Sequence, residues 1–576
     1  MRPPDDNDGF FSLPHGDSDV DAEVDVDDQD MLDVEEGGAP LHHATDTTIS
    51  TMSQVQEHQE HQDPLDIDHF PLPPPPPIVV PVPPLPPPPI ELPDDIPADT
   101  DDDVVVEVEA FEFAVGPHPV FVTNPNPGIL LPENPNLHDF LRYWQWLKTQ
   151  GWLSDIRQSP VNENSVIEDA ANRTRIEYDD LLPEECDIQG TDWVKMGVDR
   201  LTARRCRVKT FRNYVNLRQS DVWNKSLPDV LLDNGENYYR FQSMDIRHDV
   251  RLLHFQLRNI LACHNRNRVF YPAGHAVRDT VRELDPTTGN VKTAMKFKSG
   301  RDAAVSTLTA DESILMSGSF YGTYQYRSLH GDGVCADGRL TEHPSGITNH
   351  VQISSSHTSS APQAAFASND RGFRIVDLPT NQIISRTMFP YAINSSALSP
   401  DKRLRVMVGD LQEVLITEAD TGKIAASIKG HRDYGFACDW SPDGTKVATG
   451  NQDKTVRVWD SRKWKEPVAV LRCEMAGARS IRFSPLGTRP VLVAAEEADF
   501  VNIIDGVSFD SKQTFDIFGE LAGVAFTSEG EEIVVMSSDP YRGGIMTLER
   551  SRNEIWAESP TRRQMKEPAL DEDWFY

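Results

Sequence analysis

The sequence predicts an all-β chain: a seven-bladed β-propeller behind a disordered acidic and proline-rich tail and a short, partly helical extension. Three observations carry this. Turn-like sequences recur at Ser399-Pro400-Asp401, Ser441-Pro442-Asp443-Gly444, Ser484-Pro485-Leu486-Gly487 and Thr527-Ser528-Glu529-Gly530, in steps of 42, 43 and 43 residues. Short apolar stretches such as Lys446–Thr449 and Thr455–Trp459 flank the turns, and four short antiparallel strands per period of about 40–45 residues make a propeller blade. The charge is also lopsided. Residues 1–110 hold 29 Asp and Glu against one basic residue, Arg2, and so carry −28 of the net −36.

The tail, residues 1–110, cannot bury enough apolar surface to offset the entropy of ordering. Its residues 71–97 contain 15 prolines. Proline fixes φ and removes a donor, so this tract favours an extended polyproline II rod. Within it, Pro83-Pro84-Leu85-Pro86 resembles a ligand of WW- or SH3-type modules, with a stiff spacer as the plainer reading. The histidines at 42, 43, 58, 61 and 69 are irregularly spaced and read as solvated, not metal-binding. Val104–Phe113 alternates acidic and apolar residues. It reads as one β-strand or as an activation-type segment.

A partly helical extension, residues 111–250, comes next. Asn136 is a plausible N-cap for Leu137, Phe140, Leu141, Trp144 and Leu147, with Gly151 at the C-terminal stop. That apolar face needs a surface to cover it. Further on, Leu201, Val208, Phe211 and Val215 fit one helical face in a basic stretch that includes Arg204, Arg205, Arg207, Lys209 and Arg212. A basic helix binds nucleic acid, acts in nuclear import or pairs with acid. The plainest expectation is a solvated face or contact with the chain's own acidic tail, so a nucleic-acid partner is not favoured.

The propeller itself is expected over 251–550, followed by a C-terminal tail at 551–576. Marker positions divide it into blades at 251–290, 291–335, 340–380, 381–422, 423–466, 467–510 and 511–550. Six blades with an irregular insert is the alternative. Ring closure borrows a strand across the termini, with Val104–Phe113 or Arg247–Leu253 as candidates.

The clearest repeat, GHRDYGFACDWSPDGTKVATGNQDKTVRVWD from Gly430 to Asp460, resembles the WD40 family. His431, Thr449, Asp453 and Trp459 match that family's structural tetrad. Asp453 accepts from His431, the imidazole bonds the Thr449 hydroxyl, and that hydroxyl accepts from the Trp459 indole. A superficial likeness to His-Asp-Thr catalysis yields to this structural reading, because the spacing is that of a blade. Other repeats are degenerate: FRIVD at 373–377 and VNIID at 501–505 lack the tryptophan. NYVNL (213–217), CDIQGTDW, LRNILACHNRNRVFY (257–271), ASNDRGFRIVD, EEADFVNIID and FDIFGELAGVAF resemble a group of fungal and plant WD-repeat proteins, over roughly residues 186–550. This resemblance implies the fold and no particular activity.

The function expected is a non-catalytic protein-interaction scaffold, binding proteins or peptides on the propeller face. The sequence holds no Walker-type loop, GxSxG or HExxH, and its six cysteines include no CxxC pair, so neither cofactor nor metal is expected. Trp459-Asp460-Ser461-Arg462 resembles the WDxR box by which some propellers dock the adaptor of a cullin-RING ubiquitin ligase. Asp460 and Arg462 would then be the docking residues. A nuclear transcription-linked regulator is the third reading. With no signal-type leader and no apolar run of membrane-spanning length, the expected location is cytoplasm or nucleus and no membrane partner is expected.

Overall fold

The computed structural model describes residues 136–141, 144, 173–181 and 186–551, the last with short gaps at 251, 255, 274–279, 298–303, 332–334, 357 and 487–488. The acidic and proline-rich tail, Val104–Phe113, Leu147, Gly151 and residues 552–576 lie outside the described residues.

Short strands joined by tight turns can pair only with their neighbours in sequence, and here they do so in a regular meander. The innermost strands begin at Ala262, Val305, Thr348, Ile393, Gly435 and Ala478. The second half of the long strand Lys512–Phe526 supplies a seventh, starting its pairing at Leu521. Among the described residues five sheets have four strands each, and an eight-stranded sheet is two blades sharing Lys512–Phe526. Blade 5, for example, runs Gly435–Trp440, Lys446–Asn451, Thr455–Asp460 and Ala469–Arg472 as strands a to d, from the axis outwards. Each innermost strand neighbours the next around the ring, and that of blade 7 reaches back to that of blade 1. The ring therefore closes at seven blades.

Two expectations need correction. The closing strand is Tyr239–Ile246, which pairs with Gly544–Arg550 from Tyr239↔Arg550 to Ile246↔Gly544 and is flanked by Arg175–Glu177. Arg247–Leu253 does not supply it, and the ring takes in residues before 251. Tyr239–Ile246 buries Tyr239, Phe241 and Met244 completely, so its burial pattern suits blade 7. The blade limits also shift. Counting from the repeat at 423 places Ile424–Ile428 in the fifth blade, yet it is the outer strand of the fourth. Each sequence repeat thus spans two blades, which staples neighbours together.

In blades 2, 3 and 4 a bulge at the second residue of the innermost strand turns a polar side chain toward the next blade. Ser306 Oγ donates to Thr348 O at 2.6 Å, Asn349 Nδ2 to Ile393 O at 3.0 Å and Asn394 Nδ2 to Gly435 O at 3.1 Å. Equivalent residues of blades 2, 3 and 4 thus hand a hydrogen bond around the ring. The chain leaves the sheets at two ends. Turns between strands b and c, and loops from d to the next a, emerge at the upper end. The a–b and c–d turns emerge at the lower end.

Candidate functional site

In blade 5 the d–a loop carries His431 and the b–c turn carries Asp453, so two loops that meet at the upper end present their side chains to each other. His431 Nδ1 lies 3.2 Å from Asp453 Oδ2, His431 Nε2 lies 2.9 Å from Thr449 Oγ1, and Trp459 Nε1 donates to Thr449 Oγ1 at 3.0 Å. All four residues are buried. Thr455 Oγ1 donates to Asp453 Oδ1 at 2.6 Å, and the Arg432 amide to Asp453 Oδ2 at 2.8 Å. Burial pushes the His431 pKa down, against the pull of Asp453. Burial would raise Asp453, yet the adjoining imidazole, the Thr455 hydroxyl and the Arg432 amide hold it below the usual carboxylate range. The polar side-chain atoms of these four buried residues all have partners. The work of this hydrogen-bonded chain is to lock two loops to the sheet.

The degenerate third blade solves the same problem differently. Arg374 Nη1 and Nη2 donate to the two Asp370 oxygens at 3.0 and 2.6 Å, both side chains fully buried. The Arg–Asp fork stands where blade 5 has its His–Asp pair.

The extension wraps the upper end of blades 5 to 7. Asn136 caps the first helical stretch by accepting from the Asp139 amide at 2.9 Å, and the Leu137 amide donates to Asp539 Oδ2 at 2.8 Å. Leu137, Phe140, Leu141 and Trp144 are buried with Trp193, Met196 and the propeller's Phe518. The Arg200–Thr210 helix, capped by Asp199, is laid on this cluster. Its buried face is Ala203, Arg204, Cys206 and Arg207, not the Leu201–Val208–Phe211–Val215 stripe, and the helix ends before Phe211. Nor is the whole basic stretch left to solvent. Arg204 and Arg207 both donate to Asp499, Arg207 Nε at 3.0 Å. Arg204 also reaches Asp516, and its guanidinium lies 3.8 Å above the Phe518 ring. Arg200 spans Asp187 at 3.3 Å and Asp516 at 3.0 Å. Three arginines thus meet three aspartates, which balances charge in a site from which water is largely excluded. Arg205 is half-buried, whereas Lys209 and Arg212 are exposed.

Beyond the helix, Asn213 donates to Gln452 O at 2.8 Å and accepts from the Gly477 amide at 3.0 Å. Asp433 receives the amides of Asn216 and Leu217, each at 3.1 Å, and the Ser220 hydroxyl at 2.5 Å. The chain then descends the outer edge, where Val230 bridges Leu471 and Asn234 bridges Lys512. Gln189 pins the Phe518 backbone from both sides, at 2.8 and 2.5 Å. The segments CDIQGTDW, EEADF and FDIFG therefore meet in space, and NYVNL binds the upper loops of blades 5 and 6 beside them. Asp187, Asp433, Asp499, Asp516 and Phe518 escaped the reading of the sequence. The only signal for them was acid in the upper loops facing a basic stretch far away in the chain.

Comparison with known proteins agrees with this geometry. The family model described as WD domain, G-beta repeat matches residues 422–460, the repeat that carries the His–Asp–Thr–Trp chain. Residues 422–460 are a WD40 repeat. The chain is 23% identical over 308 residues to an uncharacterised protein of Schizosaccharomyces pombe, which covers 50% of this chain and 85% of that one. It is 30% identical over 104 residues to eukaryotic translation initiation factor 3 subunit I of Pyricularia oryzae, covering 17% of this chain and 28% of that protein. Over 72 residues it is 35% identical to the serine-threonine kinase receptor-associated protein of Gallus gallus, covering 12% of this chain and 21% of that one.

Asp460 and Arg462 sit in the c–d turn of blade 5, at the lower end. Arg462 Nε and Nη2 donate to the two Asp460 oxygens at 2.9 and 2.7 Å, while the Arg462 side chain stays 75% exposed. The fork holds Asp460 well below the usual carboxylate range. Ser461 donates to Gly444 O at 2.7 Å, tying this turn to the a–b turn beside it. The tetrad and the Asp460–Arg462 pair therefore occupy opposite ends of one blade. Pro83–Leu85 and Pro86 lie outside the described residues. Among the described residues no group of acids, histidines and cysteines is arranged to hold a metal ion, and no helix is long and apolar enough to cross a membrane.

Proposed function

We propose that this WD40 propeller is a non-catalytic scaffold whose partners engage the outer strands of blades 3 and 4. The observation that carries this reading is the position of its exposed apolar side chains. The extension already covers the upper loops of blades 5 to 7, where Asp433, Asp499 and Asp539 are consumed by internal hydrogen bonds. On the outer strands Gln382–Met388 and Ile424–Ile428, by contrast, Ile383, Ile384, Met388 and Ile424 are 41 to 54% exposed. Gly422 packs against Thr387, so the two blades adjoin at this edge. Several exposed apolar side chains on adjoining outer strands suit a protein-binding face. The relatives named as an initiation-factor subunit and a receptor-associated protein support a role in assembly. Pro83-Pro84-Leu85-Pro86 would add a second docking element for WW- or SH3-type modules, and the cytoplasm or nucleus is the compartment proposed. Proximity labelling of the full chain against an Ile384→Glu, Met388→Glu double variant tests the reading. We expect a defined subset of partners to disappear while the ring stays folded; an unchanged partner set would remove this face from consideration.

The Arg462 geometry favours a second reading, a substrate receptor docking a ligase adaptor through Asp460 and Arg462. Arg462 is exposed, pre-oriented by its own aspartate and remote from the extension. Arg462→Ala should abolish adaptor capture without unfolding blade 5, and unaltered capture would rule this out. The transcription-linked reading rests on less, because Arg204 and Arg207 are spent inside the fold.

A further inference from the structure

The outermost strand of each blade presents an open sheet edge, and the chain covers the edges of blades 5, 6 and 7 itself. Arg175–Glu177 pairs with Tyr239–Ile246 on blade 7. On blade 5, Val230 N donates to Val470 O at 3.0 Å and Val230 O accepts the Arg472 amide at 2.8 Å. On blade 6 the Gly235 and Glu236 amides donate to Lys512 O. Outer edges of this ring therefore accept a further extended segment. Blades 1 and 2 carry the devices that keep an edge from pairing. Lys292 and Lys296 lie on the outer strand of blade 1, and that of blade 2, Ala336–Arg339, has four residues. Gln382–Met388 of blade 3 has seven residues, none of them buried, and ends its sheet with no described strand beside it.

The register fixes which backbone groups this strand offers. Phe389 N donates to Arg371 O at 2.9 Å, and the pairs Phe373↔Thr387 and Ile375↔Ser385 follow at every second residue. Hydrogen-bonded pairs alternate along an antiparallel ladder, so Thr387 and Ser385 turn their backbone groups toward blade 3. Arg386 and Met388 occupy the intervening positions, and their N–H and C=O point outwards, where no described residue bonds them. The bulge at Ile384 ends this regular stretch. Arg386 is exposed, with no carboxylate paired to it among the described residues, and the strand contains no acid. Arg371, also exposed, adds positive charge at its upper end, opposite Phe389.

We propose that Gln382–Met388 receives an added strand from a protein partner, an extended segment with a carboxylate opposite Arg386 and an apolar side chain two residues along, opposite Met388. Arg386 and Met388 share one face of their strand, since side chains alternate. Their outward N–H and C=O supply main-chain hydrogen bonds, and their side chains select the partner. Opposite charges directly across a ladder attract and like charges repel, so a second copy of this strand centred on Arg386 is the poorer occupant. The inference rests on the reading that partners engage this face, and adds how they bind.

Fluorescence anisotropy with the full chain tests it, using a short labelled peptide in which threonine alternates with glutamate and valine in turn. One counterpart has lysine for glutamate, and another has every backbone amide N-methylated. Saturable binding is expected for the first peptide, about fivefold weaker binding for the lysine peptide, and none for the N-methylated one. Hydrogen exchange over residues 382–388 should slow on binding. Arg386→Glu, at an exposed position, should reverse the preference between glutamate and lysine peptides, which a merely loosened edge would not do. Equal binding of either counterpart, or an unchanged preference in Arg386→Glu, would overturn the added strand. A concentration-dependent dimer that excludes the peptide would give the edge to a second copy instead. Absence of peptide binding, with partners still lost in the Ile384→Glu, Met388→Glu variant, would overturn the added strand alone; partners unchanged in that variant would overturn the reading beneath it.

Discussion

Thr449 is the pivot of blade 5, because its hydroxyl serves both the Trp459 indole and the His431 imidazole. Thr449→Val keeps the shape and removes both links. It should cost about 1–3 kcal/mol, the penalty for leaving buried polar groups unpaired, read as a shift in urea midpoint. His254 supports a pH prediction. Its Nδ1 accepts the Gln256 amide at 3.2 Å, so protonation breaks a bond. Burial, helped by Arg258 and Arg479, lowers its pKa to about 4. The unfolded chain therefore binds a proton at this position between about pH 6.5 and pH 4 that the fold refuses. Stability should fall as pH drops through that window, by up to about 1.4 kcal/mol per pH unit. Asp439 and Glu496, pushed up to about 6 and about 7 by burial, act in the opposite sense and lose their contribution as pH rises. Comparing His254→Asn with the parent chain cancels them. The variant should show a flatter acid limb in denaturation midpoints, and an equal slope would refute the assignment.

Among the elements, the Arg200–Thr210 helix has the most to lose. Its hold on the ring passes through Asp499, which accepts from two arginines and from the Gly519 amide at 2.9 Å. Asp499→Ala leaves two buried cations short of their shared partner, at an expected cost of about 3–5 kcal/mol. Hydrogen exchange over residues 200–217 should accelerate well before that of blades 2 to 4. Uniform exchange across the ring would mean that the helix is not a separate clasp. The first helical stretch was legible from its apolar spacing, because its partners are Phe518 and Trp193, an apolar surface. The second was not, since its partner surface is acidic. Amphipathic spacing reports which face avoids water, and it carries no information about a charged face buried against opposite charge.

For the whole molecule, closure is the test. Tyr239–Ile246 completes blade 7 from outside the repeats, so its loss exposes the edge of Gly544–Arg550 and opens the ring. A chain beginning at Arg247 should lack a cooperative thermal transition, whereas one beginning at Asn136 should keep it. Retained cooperativity without Tyr239–Ile246 would show that another segment can close the ring.

The sequence by itself determined the repeat period and the His–Asp–Thr–Trp chain. In each case the partners lie within one repeat, so spacing along the chain is enough to find them. Only the tertiary structure decided the closure at seven blades through Tyr239–Ile246 and the burial of Arg204 and Arg207. Those contacts join residues up to some 300 positions apart, such as Arg204 and Asp499 or Tyr239 and Arg550. No periodicity links such pairs. They form because a closed ring brings distant loops and inner strands to a common end or a common axis, and charge complementarity then selects among the groups gathered there.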